Sequence, residues 1–126
     1  MRRTMSESGI PVLDRAALDP YTDGDPEAAR EIYAQARRSL AADGLAVIAA
    51  LEAGDVAALA QAAHRIKGAA RMIGARRLSE AAMALESPAR AGELEAARAR
   101  GAAFGSEHAA LLAQLDAELG ASPARS

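Results

Sequence analysis

The sequence contains no cysteine, no tryptophan and only three other aromatic residues among its 126 positions. Without cysteine there is no disulfide, no thiolate zinc site and no thiol nucleophile, and the composition fits a reducing compartment. Residues that favour strands are few, which argues against an all-β or α/β fold. The apolar residues are mainly alanine, leucine, isoleucine and valine, which suit closely packed helices. The composition therefore predicts an all-α protein with a single core.

Long apolar segments are also missing. No stretch approaches the roughly 18 apolar residues that a membrane span requires. The first residues, MRRTMSESG, lack the apolar region of a secretory signal. We therefore expect a cytoplasmic protein without direct membrane contact.

Charge is distributed unevenly along the chain. The formal net charge is −2, yet five bases and no acid lie between positions 64 and 77, namely Arg65, Lys67, Arg71, Arg76 and Arg77. A basic patch on an acidic domain indicates an acidic partner or a bound anionic group. Nucleic acid is not the expected partner, because the chain is acidic overall and its aromatic residues are not interleaved with the bases.

The first part of the chain predicts a short helix followed by a long one. The short helix is expected from Val12 to Leu18, with Pro20 ending it. Asp25 is a good N-cap residue, and Pro26 suits the first helical position after it. Helical spacing of apolar residues then continues to about Gly54.

Three further helices are predicted in the rest of the chain. Asp55 caps the next helix and Gly74 ends it, while the helix after that is expected to stop before Pro88. A last helix runs from about Glu93 to Leu119 and contains two glycines that can kink or break it, Gly101 and Gly105.

This pattern predicts an antiparallel four-helix bundle with a short extra N-terminal helix, because substantial amphipathic helices are joined by short turns. The bundle is expected to span residues 13–120. Residues 1–12 are polar and lack periodicity, so we expect a flexible lead-in segment there, and residues 121–126 are expected to form a disordered tail.

The helix after Asp55 has one apolar seam with helical spacing, formed by Leu59, Ala63, Ile66, Ala70 and Ile73. At about 100° per residue, His64 and Gly68 lie away from this seam, and Ala60, Gln61 and Arg71 lie on their side of the helix. We therefore expect an exposed imidazole, with Lys67 one turn along the helix.

Lys67 and Gly68 are unusual choices beside this histidine. Lys67 is the only lysine in the chain, and it offers a mobile ammonium suited to a phosphoryl group. Gly68 costs its helix about 0.5–1 kcal/mol relative to alanine, and clearance for an approaching group would explain that cost. Close helix packing is the alternative explanation. The combination favours a histidine that carries a phosphoryl group.

The residues around His64 resemble those of a known family. The segment HRIKGAA at positions 64–70 is similar to the pattern H-x-x-K-G plus two small residues of the histidine-containing phosphotransfer (Hpt) domains of bacterial phosphorelays. Gly54-Asp55 precedes it, and Gly74-Ala75, Leu78 and Leu85-Glu86 follow, as in the family. The likeness covers roughly residues 14–119 and is strongest to the C-terminal Hpt domain of ArcB-type tripartite hybrid sensor kinases.

The resemblance implies a role for four residues. His64 would be the phosphoacceptor, and Lys67 would stabilise the phosphoryl group. Gly68 would leave room for the partner, and Glu86 would orient the imidazole by a hydrogen bond to its other nitrogen. A solvated residue at a helix end is the alternative for Glu86. Neutral imidazole is a good nucleophile near pH 7, so His64 needs no base beside it.

The resemblance also implies the partners. These are response-regulator receiver domains, with a hybrid sensor kinase as a further candidate. The expected partner-binding residues are Ala60, Gln61, Arg65 and Arg71, and plain surface is the alternative for Gln61 and Arg71. The domain would be a carrier without kinase activity of its own. It would need no cofactor, because the aspartyl phosphate and its Mg²⁺ belong to the receiver.

Two other interpretations remain at this stage. A metal site would need His108, which lies on the seam of the last helix and is expected to be a half-buried packing residue; no cysteine is available to complete such a site. A non-catalytic Hpt-like adaptor that only binds partner proteins is the main alternative to phosphotransfer.

Overall fold

The computed structural model describes residues 9–120, and within this range the chain forms helices and no strand. A 3-10 turn at Arg15–Leu18 leads into six α-helices: α1 (Asp19–Thr22), α2 (Pro26–Ala53), α3 (Val56–Ile73), α4 (Arg76–Arg90), α5 (Leu94–Ala99) and α6 (Gly101–Gly120). The four long helices α2, α3, α4 and α6 each pack against two of the others. The predicted all-α bundle is confirmed.

The predicted helix boundaries around α2 and α3 are confirmed in detail. Asp25 accepts a hydrogen bond from the amide of Glu27 at the start of α2, and Asp55 accepts one from Ala58 at the start of α3. Gly54 and Gly74 end these helices with φ angles of 71° and 86°, a left-handed conformation that glycine adopts without strain. The tight corners place α2, α3 and α4 antiparallel.

Two proline positions differ from the prediction. The first helical segment begins at Arg15 and passes through Pro20, which lies in the first turn of α1, where a missing N–H costs nothing. Likewise α4 continues past Pro88 to Arg90. Proline removes one hydrogen bond there, but the last turn is retained because Ala89 is buried and Arg90 binds Glu86.

The predicted last helix is two helices. The helix is interrupted at Arg100, between α5 and α6. This position is next to Gly101, one of the two glycines expected to kink or break the helix. Gly105 lies inside α6 without interrupting it. Arg98 of α5 donates a hydrogen bond to the backbone carbonyl of Leu51 at 2.9 Å, so α5 is held against the C-terminal end of α2.

The predicted packing role of His108 is confirmed. Its Nε2 lies 2.8 Å from the backbone carbonyl oxygen of Leu40, and its ring stacks on Phe104 with centroids 5.5 Å apart. A Cβ atom on Gly44 would lie 2.4 Å from the imidazole carbon Cε1. Gly44 therefore allows α2 and α6 to approach closely, at the cost of helix propensity.

The ends of the chain carry predictions that the structure leaves open. The expected disordered tail at 121–126 and most of the expected lead-in at 1–12 lie outside the described residues. From Val12 onwards the N-terminal segment packs against the bundle, and the amide of Asp14 donates to the Gly74 carbonyl at 3.0 Å. No helix within residues 9–120 is long and apolar enough to cross a membrane.

Candidate functional site

His64 lies on the exposed face of α3, as predicted. All five seam residues of this helix are fully buried, and the His64 side chain on the other face is 58% exposed. Its Nδ1 atom lies 3.0 Å from Oε2 of Glu86 on α4. The imidazole is therefore held on one edge and open to solvent on the other.

Glu86 is the centre of a charged cluster between α3 and α4. It is 4% exposed, so it is not the solvated residue that was the alternative. Its Oε1 lies 3.0 Å from Nζ of Lys67, and its Oε2 lies 2.6 Å from Nη2 and 2.7 Å from Nε of Arg90. One buried carboxylate thus binds a lysine, an arginine and the imidazole of His64.

The charge of this carboxylate follows from two opposing effects. Burial is the largest single influence on the pKa of Glu86 and raises it. The hydrogen bonds from Lys67, Arg90 and His64 together outweigh burial and lower the pKa from 4.5 to about 2. Glu86 is therefore ionised at neutral pH.

The ionised carboxylate determines the tautomer of His64. A carboxylate only accepts hydrogen bonds, so the Nδ1 atom that it contacts carries the proton. In a neutral imidazole the other nitrogen, Nε2, then holds the free lone pair. His64 is positioned to act as a nucleophile through Nε2.

Lys67 is less exposed than the sequence suggests. Its side chain is 20% exposed, and its ammonium is paired with Glu86. Helix geometry places Lys67 one turn from His64, as predicted, but the ammonium that the sequence analysis described as mobile is held in an ion pair. The reason is a carboxylate contributed by another helix, which helix periodicity does not reveal.

Gly68 has open space beside it. A Cβ atom at this position would meet no heavy atom within 4 Å, and the residue is exposed. Close packing, the alternative explanation for this glycine, is therefore wrong. The surface of α3 at Gly68, on the face that carries His64, is therefore open.

The four predicted partner-binding residues do not share one environment. Gln61, Arg65 and Arg71 are exposed on α3, whereas Ala60 is 6% exposed. The prediction placed Ala60 on the accessible side of α3, but the residue is buried and contributes little surface to a partner. Arg65 is paired with Asp43 of α2 at 3.1 Å.

The basic patch is smaller than the sequence predicts, because acids outside positions 64–77 pair with four of its five members. Besides the pairs of Arg65 and Lys67, Arg76 binds Glu80 and Arg77 binds Glu107, both at 3.0 Å. Of the five bases, only Arg71 has no ion pair within residues 9–120. Arg71 is therefore the member of the patch whose charge no acid in this part of the chain compensates.

Sequence reasoning missed Arg90 as part of the site. A weak signal was present, since Glu86 and Arg90 are four residues apart and this spacing favours an ion pair on a helix. It was overlooked because α4 was expected to stop before Pro88. The role of Asp43 beside Arg65 had no local signal at all.

The low pKa of Glu86 predicts a pH-dependent contribution to stability. The unfolded carboxyl titrates near pH 4.5 and the folded one near 2. The contribution is therefore complete above pH 4.5 and is lost as the pH falls towards 2. Integrated over this shift, it amounts to about 3 kcal/mol. Between pH 5 and pH 2.5 we expect the difference in unfolding free energy between wild type and Glu86→Gln to shrink by about 2 kcal/mol, because the folded carboxyl is still mostly ionised at pH 2.5.

Urea denaturation at several pH values measures this difference. Glu52→Gln is the matched control, because Glu52 is an exposed glutamate on α2 and no ion pair is seen for it within the described residues. Its difference from wild type should change little with pH. A Glu86→Gln difference that stays constant from pH 5 to pH 2.5 would show that the ion pairs do not stabilise the fold.

Metal-binding side chains are not grouped in this part of the chain. Within residues 9–120 no cluster of three or more His, Cys, Asp or Glu side chains could hold an ion. His108, the second histidine, lies on α6, and its Nε2 atom contacts the backbone carbonyl of Leu40 on α2.

Known proteins are similar to the chain in sequence and in fold. The family model of the Hpt domain matches residues 27–122. Among solved structures, the chain is similar to the crystal structure of histidine-containing phosphotransfer protein B (HptB) from Pseudomonas aeruginosa PAO1. The TM-score is 0.79 and the sequence identity 28%, and the alignment covers 89% of this chain and 97% of that chain. No curated protein sequence matches. The charged cluster around His64 lies within the matched residues.

Proposed function

The chain belongs to the Hpt domain family, and from this premise we propose that His64 is the residue that accepts and passes on the phosphoryl group. Histidine phosphotransfer in a phosphorelay is the function of the domain. The observation that carries the assignment to His64 is its imidazole, exposed on one edge and hydrogen-bonded to ionised Glu86 on the other. His108, by contrast, packs between helices.

The proposed reaction is a nucleophilic displacement at phosphorus. The lone pair of His64 Nε2 attacks the phosphorus of an aspartyl phosphate on the donor. The N–P bond forms, the P–O bond breaks, and its electron pair returns to the aspartate carboxylate. The proton on Nδ1 stays on the ring, where Glu86 stabilises the positive charge. Transfer to an acceptor aspartate is the same step in reverse.

Lys67 and Gly68 are proposed to assist this step in different ways. Lys67 would neutralise charge on the phosphoryl oxygens from one helical turn away, as a point charge with three donors. Gly68 would leave space for the donor's active-site loops, which its open surroundings support. Neither residue needs to exchange a proton.

The proposed partners are receiver domains of response regulators, with a hybrid sensor kinase as a candidate donor. Arg71 is the best-placed contact, because it is an exposed base without an ion pair in the described part of the chain. Gln61 and Arg65 are further exposed residues on α3, on the N-terminal side of Arg71. We expect the receiver to supply both the aspartate and Mg²⁺, and the carrier to have no kinase activity of its own. A cytoplasmic location stays a prediction from the sequence.

The proposal is tested by label transfer from a receiver domain. A receiver phosphorylated with radioactive phosphate is mixed with the full chain and Mg²⁺, and the two proteins are separated after seconds to minutes. We expect label to leave the receiver and appear on this chain in a form labile in acid and stable in base, as for a phosphoramidate. If no receiver from the same genome transfers label although the proteins bind, the non-catalytic adaptor is the better description.

A further inference from the structure

The two oxygens of the Glu86 carboxylate have different partners. Oε2 lies 3.0 Å from Nδ1 of His64 and is also bound by Arg90, through Nη2 at 2.6 Å and Nε at 2.7 Å. Oε1 is buried, and its one neighbouring cation is the ammonium of Lys67 at 3.0 Å. Lys67 can therefore leave the carboxylate without disturbing the oxygen that holds the imidazole.

In its proposed role, the ammonium of Lys67 must move away from Glu86, at least in part. The side chain cannot give its full charge both to Glu86 and to a phosphoryl group on the far edge of His64. A phosphoryl group brings close to two negative charges at neutral pH. It arrives in a site whose buried carboxylate is already negative. Unless another cation compensates Glu86, the carboxylate and the phosphoryl group compete for the same ammonium.

Arg90 has the geometry to provide that compensation. It follows Glu86 by four residues on α4, so the helix itself keeps the two side chains adjacent. Both of its contacts are to Oε2, and its guanidinium stays charged at any physiological pH. Arg90 therefore does not use Oε1, the carboxylate oxygen that Lys67 contacts. Its side chain is 59% exposed.

We infer that Arg90 is a positioning residue for phosphotransfer: it keeps Glu86 ionised and bound to His64 Nδ1 while Lys67 changes partner from Glu86 to the phosphoryl group. The inference rests on the proposed roles of His64 and Lys67. The hydrogen bonds seen for the Arg90 side chain in the described part of the chain are to Glu86 and not to the imidazole. Arg90 acts through the carboxylate of Glu86. It is needed because residue 86 is an acid, since a neutral amide at this position would not compete with the phosphoryl group for Lys67.

The dependence on an acid at position 86 gives a double-mutant test. We expect Arg90→Gln to lower both the transfer rate from a phosphorylated receiver and the phosphorylated fraction at equilibrium by about three- to tenfold, given a charge-assisted pair with one exposed partner. In the Glu86→Gln background, where there is no charge to compensate, the same substitution should change both by less than about twofold. Arg90→Lys should restore part of the loss.

A matched pair on the same helix serves as the control. Arg76 and Glu80 are also four residues apart on α4 and form an exposed ion pair at 3.0 Å. Arg76→Gln removes an equivalent arginine and should leave transfer unchanged. Melting curves of all variants report folding, and ¹⁵N shifts of the His64 ring report the tautomer. In the phosphorylated protein, Arg90→Gln should shift the Nδ1 resonance of His64, because Glu86 then retains Lys67 as its one cation and binds the Nδ1 proton differently; a purely structural role would not move this resonance.

The outcomes separate this inference from the proposed function. If the wild type takes up label and Arg90→Gln transfers equally well, the role of Arg90 is wrong and phosphotransfer stands. An equal loss in the wild-type and Glu86→Gln backgrounds also overturns it, because Arg90 would then act independently of the carboxylate. A wild type that takes up no label refutes both.

Discussion

A His64→Gln variant should take up no label from a phosphorylated receiver, whereas wild type is labelled within the same time. The side chain that would carry the phosphoryl group is absent, and glutamine offers no nucleophilic nitrogen at neutral pH. The fold should persist, because the His64 side chain is 58% exposed and a glutamine amide can still donate to Glu86. We expect its stability to stay within about 1 kcal/mol of wild type.

His108→Gln is the chemical control for this experiment, since it removes the other histidine. His108 binds the Leu40 carbonyl and stacks on Phe104, so this variant should lose about 1–2 kcal/mol of stability. Its folded fraction should still be labelled as fast as wild type. Label on His64→Gln at the wild-type level would disprove the assignment of the phosphoacceptor, and loss of label only in His108→Gln would reassign it.

Substitutions at Gly68 should affect stability and function in opposite directions. Nothing lies within 4 Å of a Cβ atom at this position, so Gly68→Ala removes a helix-interior glycine without a clash. It should stabilise the protein by about 0.5–1 kcal/mol. Gly68→Gln should also keep the helix, but its side chain would occupy the space next to His64. We expect transfer from the receiver to fall more than about tenfold, since displacement at phosphorus depends on close positioning.

Gly105 provides matched control substitutions. It is a second exposed glycine inside a helix, on α6, and a Cβ atom there also meets nothing within 4 Å. Gly105→Ala and Gly105→Gln should give similar changes in melting temperature and leave transfer unaltered. Measuring melting and transfer on all four variants separates access from packing. Wild-type transfer by Gly68→Gln would contradict the access role of this glycine.

Local sequence signals were sufficient for most of the helices and for the position of the histidine. Asp25, Asp55, Gly54 and Gly74 act through hydrogen bonds and backbone angles within a few residues of themselves, so their effect is visible in the sequence. The exposure of His64 follows from the same cause. Five apolar residues at helical spacing define the buried face of α3, and the opposite face must then meet solvent.

The helix ends that were predicted wrongly show where local signals fail. Pro88 is a strong stop signal, because it lacks one backbone donor and restricts the residue before it. The burial of Ala89 and the ion pair from Arg90 to Glu86 depend on what the last turn of α4 contacts. These tertiary interactions retain the turn, and no local rule includes them.

The sequence alone determined the fold class, the seam of α3 and the histidine with an open glycine on its face, because each depends on periodicity or on near neighbours. Only the tertiary structure decided the electrostatics of the site. Glu86 is 22 positions from His64 and Asp43 is 22 positions from Arg65, yet both acids are in contact with residues of α3. Ion pairing is a matter of a few ångströms between helices, and chain separation says nothing about it. For that reason the sequence suggested a patch of unpaired bases. In the folded protein most of these bases have acidic partners, and the buried carboxylate of Glu86 binds His64, Lys67 and Arg90.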